Sequence, residues 1–345
     1  MSHKVNYGMI SLMQFVLAVL VVIFHCSRIF PSDILNFIQR NLISRLAVPF
    51  FMIASAFFIR WKSSGDYIYK KRYFKNYIRT YLFWSLLYIP YGYLYFSSLE
   101  MPRFLLPVGI LFALFYVGMC YHLWYLIAFL TGSVLVDQLS KKKSLLWVTG
   151  IAFFLYMIGS METYVGYLEG TALMPFLSQY MTIFFTTRNG LFYAPIFICL
   201  GYLLYDYREC RLFTKNLGIN LLLSLAVLGF EGILIYRNPG IDKNFLIALV
   251  PVSLFLFNWS MRTRLLSEKR FAKLKKLSVL YFFIHPIFIE LLAIVPLVEN
   301  ASTYQYGWIS VVFTLGCTHV ISEFILFVQE KEWKDLPKLR SRYAD

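Results

Sequence analysis

The sequence predicts an all-α, polytopic membrane protein of about ten transmembrane helices with both termini cytoplasmic. Three observations carry this expectation. Of 345 residues, 59% are hydrophobic and 15% charged, with a mean hydropathy of +0.63, whereas soluble domains run at about 45–50% apolar and about 25% charged. Ten segments stay apolar over the length that a helix needs to cross a bilayer. The basic residues, finally, crowd into alternate connections between those segments.

A helix rises 1.5 Å per residue, so a hydrocarbon core of roughly 30 Å asks for about 20 residues. Segments near 9–26, 43–60, 77–97, 122–139, 144–160, 190–206, 219–236, 244–260, 278–297 and 308–328 meet or approach that length. They are expected to be helical because lipid offers no water to an open backbone. The first run, Met9 to Phe24 behind Lys4, has the outline of a signal peptide but lacks a small-x-small cleavage site, and reads as a retained helix. With the N-terminus inside, the inner segments hold 26 of the 33 basic residues and the outer ones 7. That is the positive-inside pattern. The stretches 104–118 and 172–187 are also apolar, but spanning would weaken the charge asymmetry or flip the later loops. They are expected on the outer face, re-entrant or interfacial. The chain therefore reads as one membrane domain, 1–330, with a short basic cytoplasmic tail, 331–345.

The formal charge of +15 follows from this topology and points away from nucleic acid as a partner. Cys26, Cys120, Cys199, Cys210 and Cys317 are scattered, without a CxxC pair or metal-ligand spacing. No metal is expected, and most of the cysteines should pack as small hydrophobes.

An ionisable group inside a span costs several kcal/mol unless it is paired or faces a cavity, so each one is a candidate site residue. His25 lies near the outer end of the first helix, and Gln14 stands eleven residues earlier. Eleven steps of 100° return to within about 20° of three full turns, so both point the same way. Ser11, Ala18, Val21 and Val22 complete a narrow face suited to lining a crevice. A histidine there is either an interfacial residue bonded to nearby backbone or a general base suited to neutral pH. His122 opens the fourth span in His122-Leu123-Trp124-Tyr125-Leu126, either solvated at the interface or sharing an outer pocket with His25. Tyr281 and His285 share a face of the ninth span, ahead of Pro286. His319 and Glu323 share a face of the tenth and are a candidate pair. Glu231, beside Gly229 and Gly232, suits an interhelical hydrogen bond or a polar substrate. The inner segment 60–79 carries Lys71, Arg72, Lys75 and Arg79. Such a cluster serves topology and anionic membrane lipids, or clasps a phosphate-bearing ligand.

In this order the pieces resemble the acyltransferase family 3 membrane proteins, over nearly the whole chain. Val21-Val22-Ile23-Phe24-His25 is similar to the end of that family's first helix. Arg45-Leu46-Ala47-Val48-Pro49-Phe50-Phe51 through Ser55 resembles its second. Lys71-Arg72 through Trp84 looks like its basic third helix, and His122 to Leu126 its H-L-W-F-L. Tyr193-Ala194-Pro195 through Tyr202, and Ser278 to His285, match later family stretches. Where many members carry Arg or Lys eleven residues before the histidine and Asp three earlier still, this chain has Gln14 and Ser11.

The resemblance implies a multi-pass protein of the bacterial cell membrane. It also implies transfer of an acyl group, usually acetyl, from cytoplasmic acyl-CoA to a hydroxyl of an extracytoplasmic glycan or lipid-linked sugar. By that analogy His25 is catalytic, with Arg45 or His122 binding or polarising. Arg72, with Lys71, Lys75 and Arg79, would face acetyl-CoA, and Gln14 would line the donor path. Two alternatives stand beside it. One is a transporter or flippase for a small polar solute or lipid-linked sugar, since related membrane domains occur fused to racemases in vancomycin-resistance proteins. The other is a non-catalytic partner in glycan export. Association with further copies of the chain is open.

Overall fold

The computed structural model describes residues 5–64, 66–99, 102–267, 271–294 and 302–335. Its helices, in order, are α1 (Tyr7–His25), α2 (Asp33–Phe37), α3 (Ala47–Lys62), α4 (Tyr67–Leu87), α5 (Ile89–Ser98), α6 (Leu106–Phe112), α7 (Trp124–Ser140) and α8 (Leu145–Ser160). There follow α9 (Val165–Leu168), α10 (Met174–Phe184), α11 (Ala194–Asp206), α12 (Arg211–Thr214) and α13 (Leu217–Arg237). The last three are α14 (Leu249–Arg262), α15 (Ala272–Ile294) and α16 (Thr303–Asp335). No strand occurs among the described residues. Lys4, Lys269, Arg270 and the tail from 336 onward, all counted above as inner, lie outside them.

Local chemistry explains where the helices start. Asn6 caps α1 by accepting the Met9 N–H at 2.9 Å, and Asp66 caps α4 through the Tyr69 N–H at 2.9 Å. Pro90, Pro107, Pro175 and Pro195 open α5, α6, α10 and α11, where a missing N–H costs nothing. Pro90 also corrects one expectation. The segment 77–97 is two helices broken at Tyr88, because a proline cannot donate back into the preceding turn.

Among the described residues, five helical runs are long and apolar enough to cross a membrane: Tyr7–His25, Asp33–Lys62, Leu217–Arg237, Ala272–Ile294 and Thr303–Lys331. The other five expected spans fall on α4 with α5, and on α7, α8, α11 and α14, the last four of 17, 16, 13 and 14 residues. At 1.5 Å per residue even the longest of these reaches only about 26 Å. On α13 the polarity is inverted relative to a soluble helix. Leu222, Leu223 and Phe230 are exposed while Glu231 is buried, as suits an apolar solvent.

The chain divides into two compact units, Met1–Ala47 with Met261–Asp345, and Val48–Ser260. In the first, α1 packs along α15, and α15 along α16. Asn6 fastens the start of α1: its side-chain amide donates to the Thr263 and Leu265 carbonyls at 2.8 and 2.9 Å. Gly307 lets α16 meet the chain beyond α1, since a Cβ there would lie 1.9 Å from the Arg28 carbonyl oxygen. In the second unit α11 is the central helix, buried from Ala194 to Leu204 between α7 and α8. Gly201 brings it against α3, where a Cβ would sit 2.6 Å from both Ala56 Cβ and the Ile53 carbonyl oxygen. All five cysteines are free thiols, with Cys26, Cys120 and Cys199 buried.

Candidate functional site

The clearest gathering of reactive side chains is at the end of α1, in the first unit. His25 is its last helical residue and is half-buried. The Phe24 ring stands edge-on to the imidazole at 4.9 Å and 80°. On α15, the His285 ring stacks on it at 5.4 Å with 28° between planes. His285 is fully buried, and its Nδ1 lies 2.8 Å from the Tyr281 carbonyl oxygen. A carbonyl only accepts, so Nδ1 carries the proton. Tyr281 in turn places its hydroxyl 2.9 Å from His319 Nδ1. Behind Phe24, the Arg45 and Arg40 guanidiniums stand 4.4 and 5.3 Å from its ring centre. Arg40 also donates to the Cys26 carbonyl at 3.1 Å.

The stripe read on α1 is present: Ser11, Ala18, Val21 and Val22 are buried. Gln14 is half-buried on that stripe, and its Oε1 is buried with no hydrogen-bond partner among the described residues. His319 and Glu323 do share a face, yet each answers α15 instead. His319 meets Tyr281, and Glu323 forms an ion pair with Lys273 at 2.7 Å.

The remaining candidates lie in the second unit. His122 is buried, 2% exposed, with its ring edge-on to Tyr88 at 5.0 Å and Tyr121 at 5.9 Å. It is thus not solvated at an interface, because the turn before α7 folds it among aromatic rings. Glu231 takes the interhelical role. Its carboxylate accepts the Ile247 and Ala248 N–H groups at 2.5 and 2.7 Å, and the Tyr164 hydroxyl. Those two N–H groups stand just before α14 begins, so Glu231 on α13 caps a neighbouring helix. Lys71, Arg72, Lys75 and Arg79 are all exposed on α4 without an ion-pair partner among the described residues. Lys71, Lys75 and Arg79 repeat every four residues and share one flank.

The acyltransferase domain family matches residues 8–326, which takes in nearly every element described above. The chain belongs to acyltransferase family 3. An amino-acid racemase of Enterococcus faecalis is 26% identical over 96% of the chain and 47% of its own length. A serine/alanine racemase of Enterococcus gallinarum is 32% identical over 78% of the chain and 39% of its own length. The chain thus spans about half the length, or less, of these curated relatives. No solved structure matches it.

This family 3 chain also carries polar clusters that its sequence did not announce. In the second unit Arg60 holds Asp206 through two bonds, 3.0 and 2.8 Å, and Lys70 pairs with Asp137 at 2.6 Å. Tyr202 joins them: its hydroxyl donates to Asp137 at 3.2 Å, and both cations stand over its ring, at 5.3 and 5.8 Å. The clue was two lone acids, each closing an apolar run. A second cluster centres on Glu162, which accepts the Thr187 N–H at 2.7 Å and hydroxyl at 2.6 Å. Beside it Arg188 pairs with Asp242 at 2.9 Å and lies over Trp124 at 5.4 Å. Burial, and then the Asp242 carboxylate, raise the Glu162 carboxyl above its ordinary range, against the lowering effect of Thr187. Among the described residues no three His, Cys, Asp or Glu side chains gather to hold a metal ion.

Proposed function

We propose that the chain is an integral-membrane O-acyltransferase that moves an acyl group, acetyl in the simplest case, from cytoplasmic acyl-CoA to a hydroxyl of an extracytoplasmic glycan or lipid-linked sugar. The observation that carries the reading is the imidazole of His25, ending α1 and held between Phe24 and His285 in a chain of this family. In this reading a His25 ring nitrogen takes the acceptor's hydroxyl proton as the oxygen attacks the thioester carbonyl. Charge develops on that carbonyl oxygen in the tetrahedral intermediate, and positive or donor groups stabilise it. Arg45 is assigned that role, with His122 as the other polarising residue carried from the sequence. As the C–S bond breaks, the His25 proton passes to the departing CoA sulfur, which leaves as the thiol and returns the base to its neutral form. Lys71, Arg72, Lys75 and Arg79 are assigned to the CoA phosphates, which guanidinium and ammonium groups clasp well. Gln14 is assigned to the donor path.

The test is acetyl-CoA binding and acetyl release or transfer by the purified protein in nanodiscs. His25→Ala should lower the transfer rate by about 10²- to 10⁴-fold with binding retained, the usual worth of a general base. Arg72→Ala should weaken binding instead. Wild-type protein that shows no saturable acetyl-CoA binding overturns the proposal.

A second reading is transport of a small polar solute such as an amino acid. The racemase names of the relatives favour it, as do Gln14 and Ser11 where many family members carry charge. Uptake of labelled L-serine by proteoliposomes, unchanged by His25→Ala, would select it.

A further inference from the structure

The stacked pair of histidines gives His285 a task. We infer that His285 is a positioning residue for His25: its buried ring fixes the plane of the His25 imidazole and so the plane in which that ring's nitrogens lie. Three observations converge on this.

The first is the stack itself, 5.4 Å between centres and 28° between planes, formed by residues 260 positions apart in the chain. The second is that the lower ring is anchored. His285 is fully buried, and its Nδ1–H is bound to the Tyr281 carbonyl one turn back at 2.8 Å. That bond sets both the tautomer and the ring's rotation, because a planar donor aimed at a fixed acceptor leaves its second torsion little freedom. Pro286 follows immediately and itself donates no hydrogen bond to the preceding turn. The third is that His25 is held from its other side as well, by the edge of Phe24, whose own ring lies against Arg45 and Arg40.

A half-buried imidazole alone could turn about its Cβ–Cγ bond and present either nitrogen. Between an anchored face and a fixed edge its ring plane is held. An apolar side chain would fill the same volume on α15 without burying a polar ring, which costs free energy unless it is bonded. Packing by itself therefore does not call for histidine at position 285.

Two substitutions separate the stack from the hydrogen bond. His285→Phe keeps a flat ring of similar size and loses the donor. His285→Asn keeps a donor near Tyr281 and loses the ring. Both are made in the full chain in nanodiscs, and each is read on the monodisperse fraction. One readout is the rate at which diethyl pyrocarbonate modifies His25, followed by peptide mass spectrometry, which needs no enzyme activity. Modification should be several-fold faster in His285→Asn and faster than wild type by a smaller factor in His285→Phe, which keeps the stacking face and loses its anchoring bond. The kinetic readout rests on the acyltransferase reading. There, kcat with acetyl-CoA should fall roughly 10- to 100-fold in His285→Asn with KM little changed, the scale of a misplaced catalytic group. His285→Phe should recover part of that loss, because the stacking face remains without its anchor. His25 modified at the wild-type rate in His285→Asn, or equal kinetic losses in the two variants, would overturn the inference. If wild-type protein transfers no acetyl group, the acyltransferase reading fails by itself, and the modification rates still decide the role of His285.

Discussion

At the scale of single residues, the polar side chains in the apolar helices divide by what they answer to. Glu231 answers to two backbone N–H groups and to the Tyr164 hydroxyl, three donors that converge on its carboxylate. Glu231→Ala leaves those donors buried and is expected to destabilise the protein by about 1–3 kcal/mol, visible as a lower unfolding midpoint in detergent. Glu231→Gln, which keeps an acceptor oxygen, should cost less. Glu162 makes a pH-dependent contribution. Its carboxyl is raised in the folded protein, so the folded state holds that proton more tightly than the unfolded chain does. The stabilisation is complete below the unfolded value, about 4.3, and is lost as pH rises through the folded value. Thermal midpoints should therefore fall as pH rises from about 4.3 through the folded value, and fall less steeply in Glu162→Gln. Sequence spacing assigns Tyr281 with His285, and Gln14 with His25, to shared faces, and each pair lies on one continuous helix. It could not find their partners across helices. Periodicity reports which way a side chain points, and nothing about what stands opposite, so His319 and Glu323 share a face but bind Tyr281 and Lys273.

At the scale of elements, helix ends are set by capping and proline chemistry, which is local, whereas the expected spans rest on hydropathy and pass over it. Pro195 marks the start of α11, and Pro90 divides a segment that hydropathy alone runs together. Lengths were no more legible: an apolar stretch counts the same whether or not its ends are helical, and α11 covers 13 residues of a longer apolar run. On α4, Lys70 is engaged by Asp137 while Lys71, Arg72, Lys75 and Arg79 are exposed. If those four meet CoA phosphates, Lys75→Ala and Arg79→Ala should each weaken acetyl-CoA binding and make its salt dependence shallower, as titration calorimetry at two ionic strengths would show. Where α11 meets α3, Gly201→Leu is expected to destabilise the second unit by about 1–3 kcal/mol or more through overpacking, measured by the same unfolding midpoints.

For the whole molecule, hydropathy and charge placement were enough to name a polytopic helical protein. The inverted polarity of α13 agrees, with leucines outward and a carboxylate inward. Orientation is a separate question, and single cysteines introduced into a background without the native five would address it. Ser144→Cys should be labelled by an impermeant maleimide only after permeabilisation, and Gly170→Cys before it, if the basic connections face the cytoplasm. The family match spans both compact units, so neither by itself corresponds to the family domain.

The close approach of Gly307 to Arg28 bears on how this chain tolerates insertions. At position 307 only a hydrogen atom fits against the Arg28 carbonyl, and the neighbours are Tyr306 and Trp308. Sliding α16 by one residue would carry a large ring into a gap sized for none. Its register against the chain beyond α1 is therefore locked at one point, like a key with a single notch. Residues added upstream of position 302 must be absorbed in the connection itself, and cannot be passed down the helix.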